Sequence, residues 1–183
     1  MTSYTIPTVE TENLILRAPQ ECDLPAMTEF FASDRSRMVG GPKSPLDAWR
    51  SLLGRFGHWA IMGYGGWHIV EKASGTFAGW TGIINAPGWD EPELGWVIFE
   101  GFEGKGIAFE AATAARAYAA QHQGVNGPIS YIAHENDRSR ALAERLGATY
   151  EREGEVVGKR CQVWRHPKLV TSDTALTTER TGQ

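Results

Sequence analysis

Glu93-Leu94-Gly95-Trp96-Val97-Ile98-Phe99, followed after three intervening residues by Glu103-Gly104-Lys105-Gly106-Ile107-Ala108, is the stretch that decides the fold. An apolar run of strand length ends in a glycine-rich loop, and the loop opens directly into an alanine-rich segment. Glycine has no Cβ, so the backbone at Gly104 and Gly106 can turn tightly and approach a ligand closely. The first turn of a helix carries unpaired N–H groups and the positive end of the macrodipole. A glycine loop at such a helix start is an anion site, and a pyrophosphate fits it. Two common phosphate loops are excluded. The P-loop spacing fails because Phe99 stands five residues before Gly104 and Gly106 follows Lys105. The dinucleotide pattern fails because Phe109 stands where its third glycine belongs.

Outward from this stretch the pattern alternates strands and helices. Asn13 to Arg17 reads as a strand, and Leu24 to Ala32 as an amphipathic helix with Leu24, Met27, Phe30 and Phe31 inward. Met38 to Pro45 reads as a Gly/Pro loop and Leu46 to Phe56 as a second helix. Trp67 to Glu71 and Phe77 to Ile84 form a hairpin about the turn Lys72-Ala73-Ser74-Gly75-Thr76. The near-continuous apolar run Leu94 to Phe99 suits a central, doubly covered strand. The alanine-rich helix runs from about Ile107 to Gln121, and Ile129 to Ala133 is the next strand. Asn136 caps a last helix with Leu142 and Leu146 inward and Gly147 just past its end. Thr149 to Glu153 and Arg160 to Arg165 close the sheet as a hairpin. The predicted order is β-α-α-β-β-β-α-β-α-β-β, an α+β domain over residues 1–167 with a polar, Thr-rich tail over 168–183.

Composition narrows the function classes. A chain of 183 residues suits one domain with a full core. A formal net charge of −4 and no basic run argue against a nucleic-acid partner. No apolar stretch approaches membrane-spanning length, and Met1 to Pro7 lacks the regions of a signal peptide, so no membrane association is expected. The two cysteines, Cys22 and Cys161, lie far apart and read as free thiols of a cytoplasmic protein. No metal-ligand spacing and no Ser/His/Asp set is present, so no metal is expected.

The loop Glu103-Gly104-Lys105-Gly106-Ile107-Ala108 resembles the coenzyme A loop, Q/R-x-x-G-x-G/A, of the GNAT superfamily of N-acetyltransferases. The wider run is similar to the branch that includes the ribosomal-protein N-terminal (Rim-type) acetyltransferases. Thr11-Glu12-Asn13-Leu14-Ile15-Leu16-Arg17-Ala18, followed by Asp23-Leu24, looks like that branch's opening strand and first helix. Asn136-Asp137-Arg138-Ser139, followed by Leu142 and Leu146-Gly147, looks like its second signature. The three come in the family's order and together cover roughly residues 10 to 166. The resemblance implies a three-layer α/β/α fold whose mixed, mostly antiparallel sheet is splayed where acetyl-CoA enters.

It also implies roles. Backbone amides from Gly104 through Lys105, Gly106, Ile107 and Ala108 to Phe109 would hold the pyrophosphate, with Lys105 adding charge attraction. Glu103 departs from the family's Gln or Arg and is expected to point to solvent. Val97 and Ile98 would offer backbone groups to the pantetheine arm. Glu93 matches a place where family members often hold a basic carboxylate, and it reads also as a solvated residue of the turn Asp90-Glu91-Pro92-Glu93. His134 is a second candidate base, and it reads more simply as a satisfied structural histidine. The family's proton-donating tyrosine is absent, because Ala143 stands in Leu142-Ala143-Glu144-Arg145-Leu146-Gly147. Ser139 then becomes the residue near the sulfur, or a first-turn helix residue with a local bond. Asn136 caps the helix, touches the cofactor, or both. Trp49, Trp59 and Trp89 would wall the acceptor site, with Glu91 at an acidic edge that attracts a cationic amine.

The expected activity is acetyl-CoA-dependent N-acetylation of a small amine or amino acid by direct transfer in a ternary complex. A protein N-terminus as acceptor, and an acetyl-CoA-binding sensor without turnover, stay open as rivals. A homodimer is also left open.

Overall fold

The computed structural model describes residues 5–170. The sheet has eight strands: β1 (Val9–Glu10), β2 (Leu14–Arg17), β3 (Gly66–Glu71), β4 (Thr76–Ile84), β5 (Glu93–Ile98), β6 (Ile129–Ile132), β7 (Thr149–Val156) and β8 (Lys159–Arg165). Their spatial order is β1-β2-β3-β4-β5-β6-β8-β7. Every neighbouring pair is antiparallel except β5 and β6, which are parallel. The two-residue β1 escapes a periodicity reading, since it is too short to show a period. The tail expected over residues 168–183 lies almost wholly outside the described residues; Leu169 is tied to Asn126 through both its N–H and its C=O.

Helices cover both faces. On one side α1 (Leu24–Ala32) and α2 (Pro45–Met62) set Met27, Phe30, Phe31 and Leu52 against Trp80, Val97 and Phe99. On the other, α3 (Ile107–His122) lays Ala111, Ala112, Ala115 and Ala119, all fully buried, against Leu14, Ile69, Ala78 and Leu94. A row of alanines lets the helix axis come close to the sheet, where larger side chains would hold it off. The short α4 (Asp137–Arg145) packs Ala143 on Ile132 and Trp164. The result is the three-layer α+β arrangement.

The second helix is longer than its sequence suggests. Gly54 and Gly57 lower its intrinsic propensity, and the pattern reads as ending at Phe56. It continues to Met62 because Trp59 is buried at its far end, where the indole packs on Trp67 and donates to the Gly66 carbonyl at 3.0 Å. The expected helix over Leu46 to Phe56 is thus extended through residues 57–62, and it is started by Ser44 accepting from the Asp47 N–H and by Pro45 in the first turn.

Candidate active site

The site begins where β5 and β6 part. Their ladder consists of one register pair, Glu93 opposite Ile129, with the Ile129 N–H donating to the Pro92 carbonyl at 3.1 Å. Beyond that point side chains take the groups a longer ladder would have paired. Ser130 Oγ donates to the Leu94 carbonyl at 2.6 Å, and the Tyr131 N–H donates to Glu93 Oε1 at 3.4 Å. A buried carbonyl left without a donor would be costly, so Ser130 is what makes the separation of the strands affordable.

Strand alternation decides which backbone groups face the gap. The Phe99 N–H donates to the Ala78 carbonyl on β4, so odd-numbered residues of β5 turn their backbone groups that way. Leu94, Trp96 and Ile98 then face the gap. Of the expected pair Val97 and Ile98, only Ile98 presents its backbone there, and Trp96 takes the place given to Val97. The Ile98 carbonyl accepts from Arg35 Nη2 at 3.4 Å.

A cavity of about 730 Å³ follows this edge. It is lined by Trp96, Val97 and Ile98, by Glu103, Gly104 and Gly106 through Phe109, and by Asn136 and Ser139 from α4. Gly106 has φ +82° immediately before α3, a left-handed conformation that glycine adopts without strain. The loop therefore aims the free N–H groups of the helix start into the cavity. Glu103 is not turned to solvent. Its carboxylate is clamped by Arg35, with Nη1 at 3.1 Å, and by Arg138 at 2.8 Å. The Arg35 bond holds the acid below the usual glutamate range against the opposing effect of burial. A carboxylate in this position is tolerable because two guanidinium groups neutralise it, and neither was legible in the loop, one lying 68 residues away.

A second cavity, of about 640 Å³, opens on the other side of the gap. Met38, Val39, Trp96, Val97, Asn136 and Ser139 line both. Glu93 lines only the second, where Trp89 Nε1 donates to its Oε2 at 2.6 Å. Burial raises the Glu93 pKa, and the bonds from Trp89 and Tyr131 only partly oppose it. Trp96 Nε1 donates to Ser139 Oγ at 3.3 Å, while the Ser139 N–H is occupied by Asn136 Oδ1 at 3.1 Å. The Ser139 hydroxyl hydrogen is thus left to donate elsewhere.

A family model described as the acetyltransferase (GNAT) domain matches residues 13–149. The chain belongs to the GNAT acetyltransferases. Among solved structures, the acetyltransferase from Agrobacterium tumefaciens strain C58 is 35% identical, with a TM-score of 0.84 over 92% of this chain and 98% of that one. RimL, the ribosomal L7/L12 α-N-protein acetyltransferase solved with coenzyme A, shares the fold at 18% identity, with a TM-score of 0.73 over 91% and 100% of the two chains. The ribosomal-protein-S5-alanine acetyltransferase of Vibrio fischeri does so at 16% identity, TM-score 0.69, covering 89% and 97%.

Several residues expected in the site of this GNAT enzyme lie elsewhere. Trp59 is core, with 1% of its surface exposed, and cannot wall an acceptor. The Glu91 carboxylate is taken by Arg165 in two bonds of 2.7 Å, and the acidic edge is thereby neutralised. His134 pairs with Glu153 at 2.7 Å on the surface and lines neither cavity. Lys105 lies over the Phe102 ring, 3.9 Å from Glu71, and does not line the first cavity. Ala143 is fully buried, so a tyrosine there would require repacking. Trp89 does line the second cavity, together with Tyr131, the β7–β8 tip at Val156 and Val157, and the cations Lys43, Arg55 and Lys159. The tip and the cations carry no motif and become visible only once the chain is folded.

Proposed function

We propose that this GNAT acetyltransferase transfers the acetyl group of acetyl-CoA directly to a primary amine while both are held in a ternary complex. The observation that carries the reading is the meeting of two cavities at the β5–β6 gap, where Trp96, Val97, Asn136 and Ser139 line both. The loop amides of Gly104 to Phe109, with Arg35 and Arg138 at hand, suit a pyrophosphate, and the gap-facing groups of Trp96 and Ile98 suit the amides of a pantetheine arm. Acetyl-CoA supplies the acetyl group in activated thioester form. Glu93 accepts the proton that an ammonium acceptor must lose, a role suited to a carboxylate whose pKa is raised. The Ser139 hydroxyl, oriented by the Trp96 indole, is the group placed to donate a proton at the sulfur end.

The acceptor we favour is a small amine or amino acid in the cavity beside Glu93. We place the protein in the cytosol as a single domain over residues 1–167. The exposed apolar row Leu46, Trp49, Leu53 and Phe56 on α2 is the surface that would support a homodimer. The deciding experiment is thiol release from acetyl-CoA against small amines, amino acids and short peptides. Turnover with amino acids or amines supports the reading, and turnover confined to peptides assigns a protein N-terminus. Coenzyme binding by calorimetry without release from any acceptor would leave a sensor domain instead.

A further inference from the structure

The acceptor cavity holds an imbalance of charge that the transfer reaction itself does not use. Arg55 reaches it from α2 and Lys43 from the segment before that helix. The Arg55 guanidinium lies 4.2 Å over the Trp80 ring and tight against Gly66, where an added Cβ would come within 3.0 Å of Nη1. Its Nε is buried without a hydrogen-bond partner. Among the described residues no carboxylate lies within ion-pair distance of Arg55 or Lys43, and the only acid lining the cavity is Glu93. Lys43 is half-buried with its ammonium 4.5 Å from the Phe31 ring. Burial alone pushes Arg55 down to about 9, with no acid nearby to offset it, and it still carries its charge at neutral pH.

Both cations are half-buried, yet a guanidinium with a buried, unpartnered Nε and no counter-ion is costly, and proteins normally pair it. Other guanidinium groups of this chain are met by partners within it: Arg17 by Asp23, Arg35 by Glu103, Arg165 by Glu91, and the buried Arg116 by the Leu146 carbonyl and His166. Arg55 and Lys43 sit instead in a cavity whose one lining acid among the described residues is the base Glu93 and which Lys159 also lines. We propose that the acceptor carries an anionic group as well as its amine, and that Arg55 and Lys43 bind this anion while Glu93 receives the amine. The α-carboxylate of a free amino acid supplies both groups, as does a peptide N-terminus followed by an acidic side chain. A guanidinium fits a carboxylate through two parallel bonds, so Arg55 sets the preference and Lys43 adds field. The inference rests on the transferase reading of this cavity and names the class of acceptor it takes.

The test is thiol release at saturating acetyl-CoA with tryptophan, phenylalanine, methionine and glutamate, each beside its carboxamide, and with peptides having Ala or Asp at the second position. Wild type is compared with Arg55→Met and Lys43→Met, which keep apolar bulk and remove charge. Coenzyme binding by calorimetry checks that each variant is folded, and Lys43→Met decides if Arg55→Met is not. We expect wild type to favour the acid over its carboxamide at least tenfold in kcat/KM, and Arg55→Met to bring the preference under threefold. Comparing ratios cancels the different basicities of the two amines. The same pattern confined to the Asp peptides keeps the anion site and assigns it to a protein acceptor. Equal use of acids and carboxamides by wild type, or a preference that survives both substitutions, overturns the proposal. If no amine is acetylated, the transferase reading fails by itself, and N-acetyl amino acids become the calorimetric probe. Binding to wild type that weakens at least tenfold in Arg55→Met then upholds the anion site, and absent or unchanged binding removes it.

Discussion

Two carboxylates, ten residues apart in the chain, are shifted in opposite directions by their surroundings. Glu93 is raised from the ordinary 4.5 because burial disfavours its charge, whereas Glu103 is lowered by Arg35 and then Arg138. As the proposed base, Glu93 must be ionised, so kcat/KM should rise with pH through a value above 4.5, and this limb should vanish in Glu93→Gln. That variant should also lose at least tenfold in kcat at saturating substrates, about 1.4 kcal/mol of barrier. A loss under threefold would remove the base assignment. Glu103→Gln should bind coenzyme A more tightly, by about threefold or more, since Arg35 and Arg138 no longer have to leave a carboxylate to meet a phosphate. Calorimetry decides the sign, and weaker binding would mean that Glu103 serves to hold the arginines in place. At this scale the sequence pointed to residue types but not to their partners. Trp59 and Trp89 look alike in the chain, yet one is walled in by Trp67 and Gly66 and the other donates to Glu93.

Among elements, β4 and β5 form the rigid wall of the site. Gly79 lies opposite Ile98 with φ +143°, and a Cβ there would stand 2.0 Å from the Val97 carbonyl oxygen. Backbone cannot yield as a flexible side chain does, so Gly79→Ala should destabilise by about 2 kcal/mol or more. It should also weaken coenzyme binding by pushing β5 toward the gap. Gly54 is the contrast, exposed within α2 with nothing within 4 Å of an added Cβ. Gly54→Ala should stabilise by about 0.5–1 kcal/mol through helix propensity and a less free unfolded chain. Urea midpoints of the two variants should move in opposite directions. The helices and strands with clear period were legible, α1 over Leu24–Ala32 to the residue. The extension of α2 past Gly57 was not, because it depends on a tertiary contact of Trp59 with β3.

Across the whole molecule, stability should fall in mild acid. His68 and His166 are both pushed down to about 4, chiefly by burial, from an ordinary 6.5. His68 bonds Asp23 through Nδ1 and leaves Nε2 buried and unpaired. His166 meets Ser130 at 2.9 Å and Arg116 at 3.3 Å, in the network that also satisfies Leu94 at the strand gap. A histidine that is harder to protonate when folded leaves the unfolded chain binding more protons between pH 6.5 and 4. Stability is therefore full above about 6.5 and is lost as pH falls through that window, by on the order of 1 kcal/mol per pH unit for each histidine. Denaturation midpoints at pH 7.5 and 5 measure this, and His166→Asn should flatten the dependence. Equal midpoints would show that these histidines are not kept neutral by the fold.

What the sequence determined by itself was local and repetitive. Period two and period 3.6 named the elements, and the glycines at 104 and 106 marked where the chain turns into a helix whose first N–H groups are free. The resemblance to the family rests on motifs of a few consecutive residues, and it is that resemblance which implied the three layers and the coenzyme loop. What only the tertiary structure decided was every relation between distant parts: the Arg35 and Arg138 clamp on Glu103, and Ser130 holding the carbonyl that lets β5 and β6 part. It also turned the backbone of Trp96 rather than Val97 toward the gap, and left Arg55 and Lys43 without a carboxylate. These depend on which surfaces meet when apolar faces are buried, and hydrophobic burial is non-directional, so no local pattern encodes the pairing of charges that it brings together.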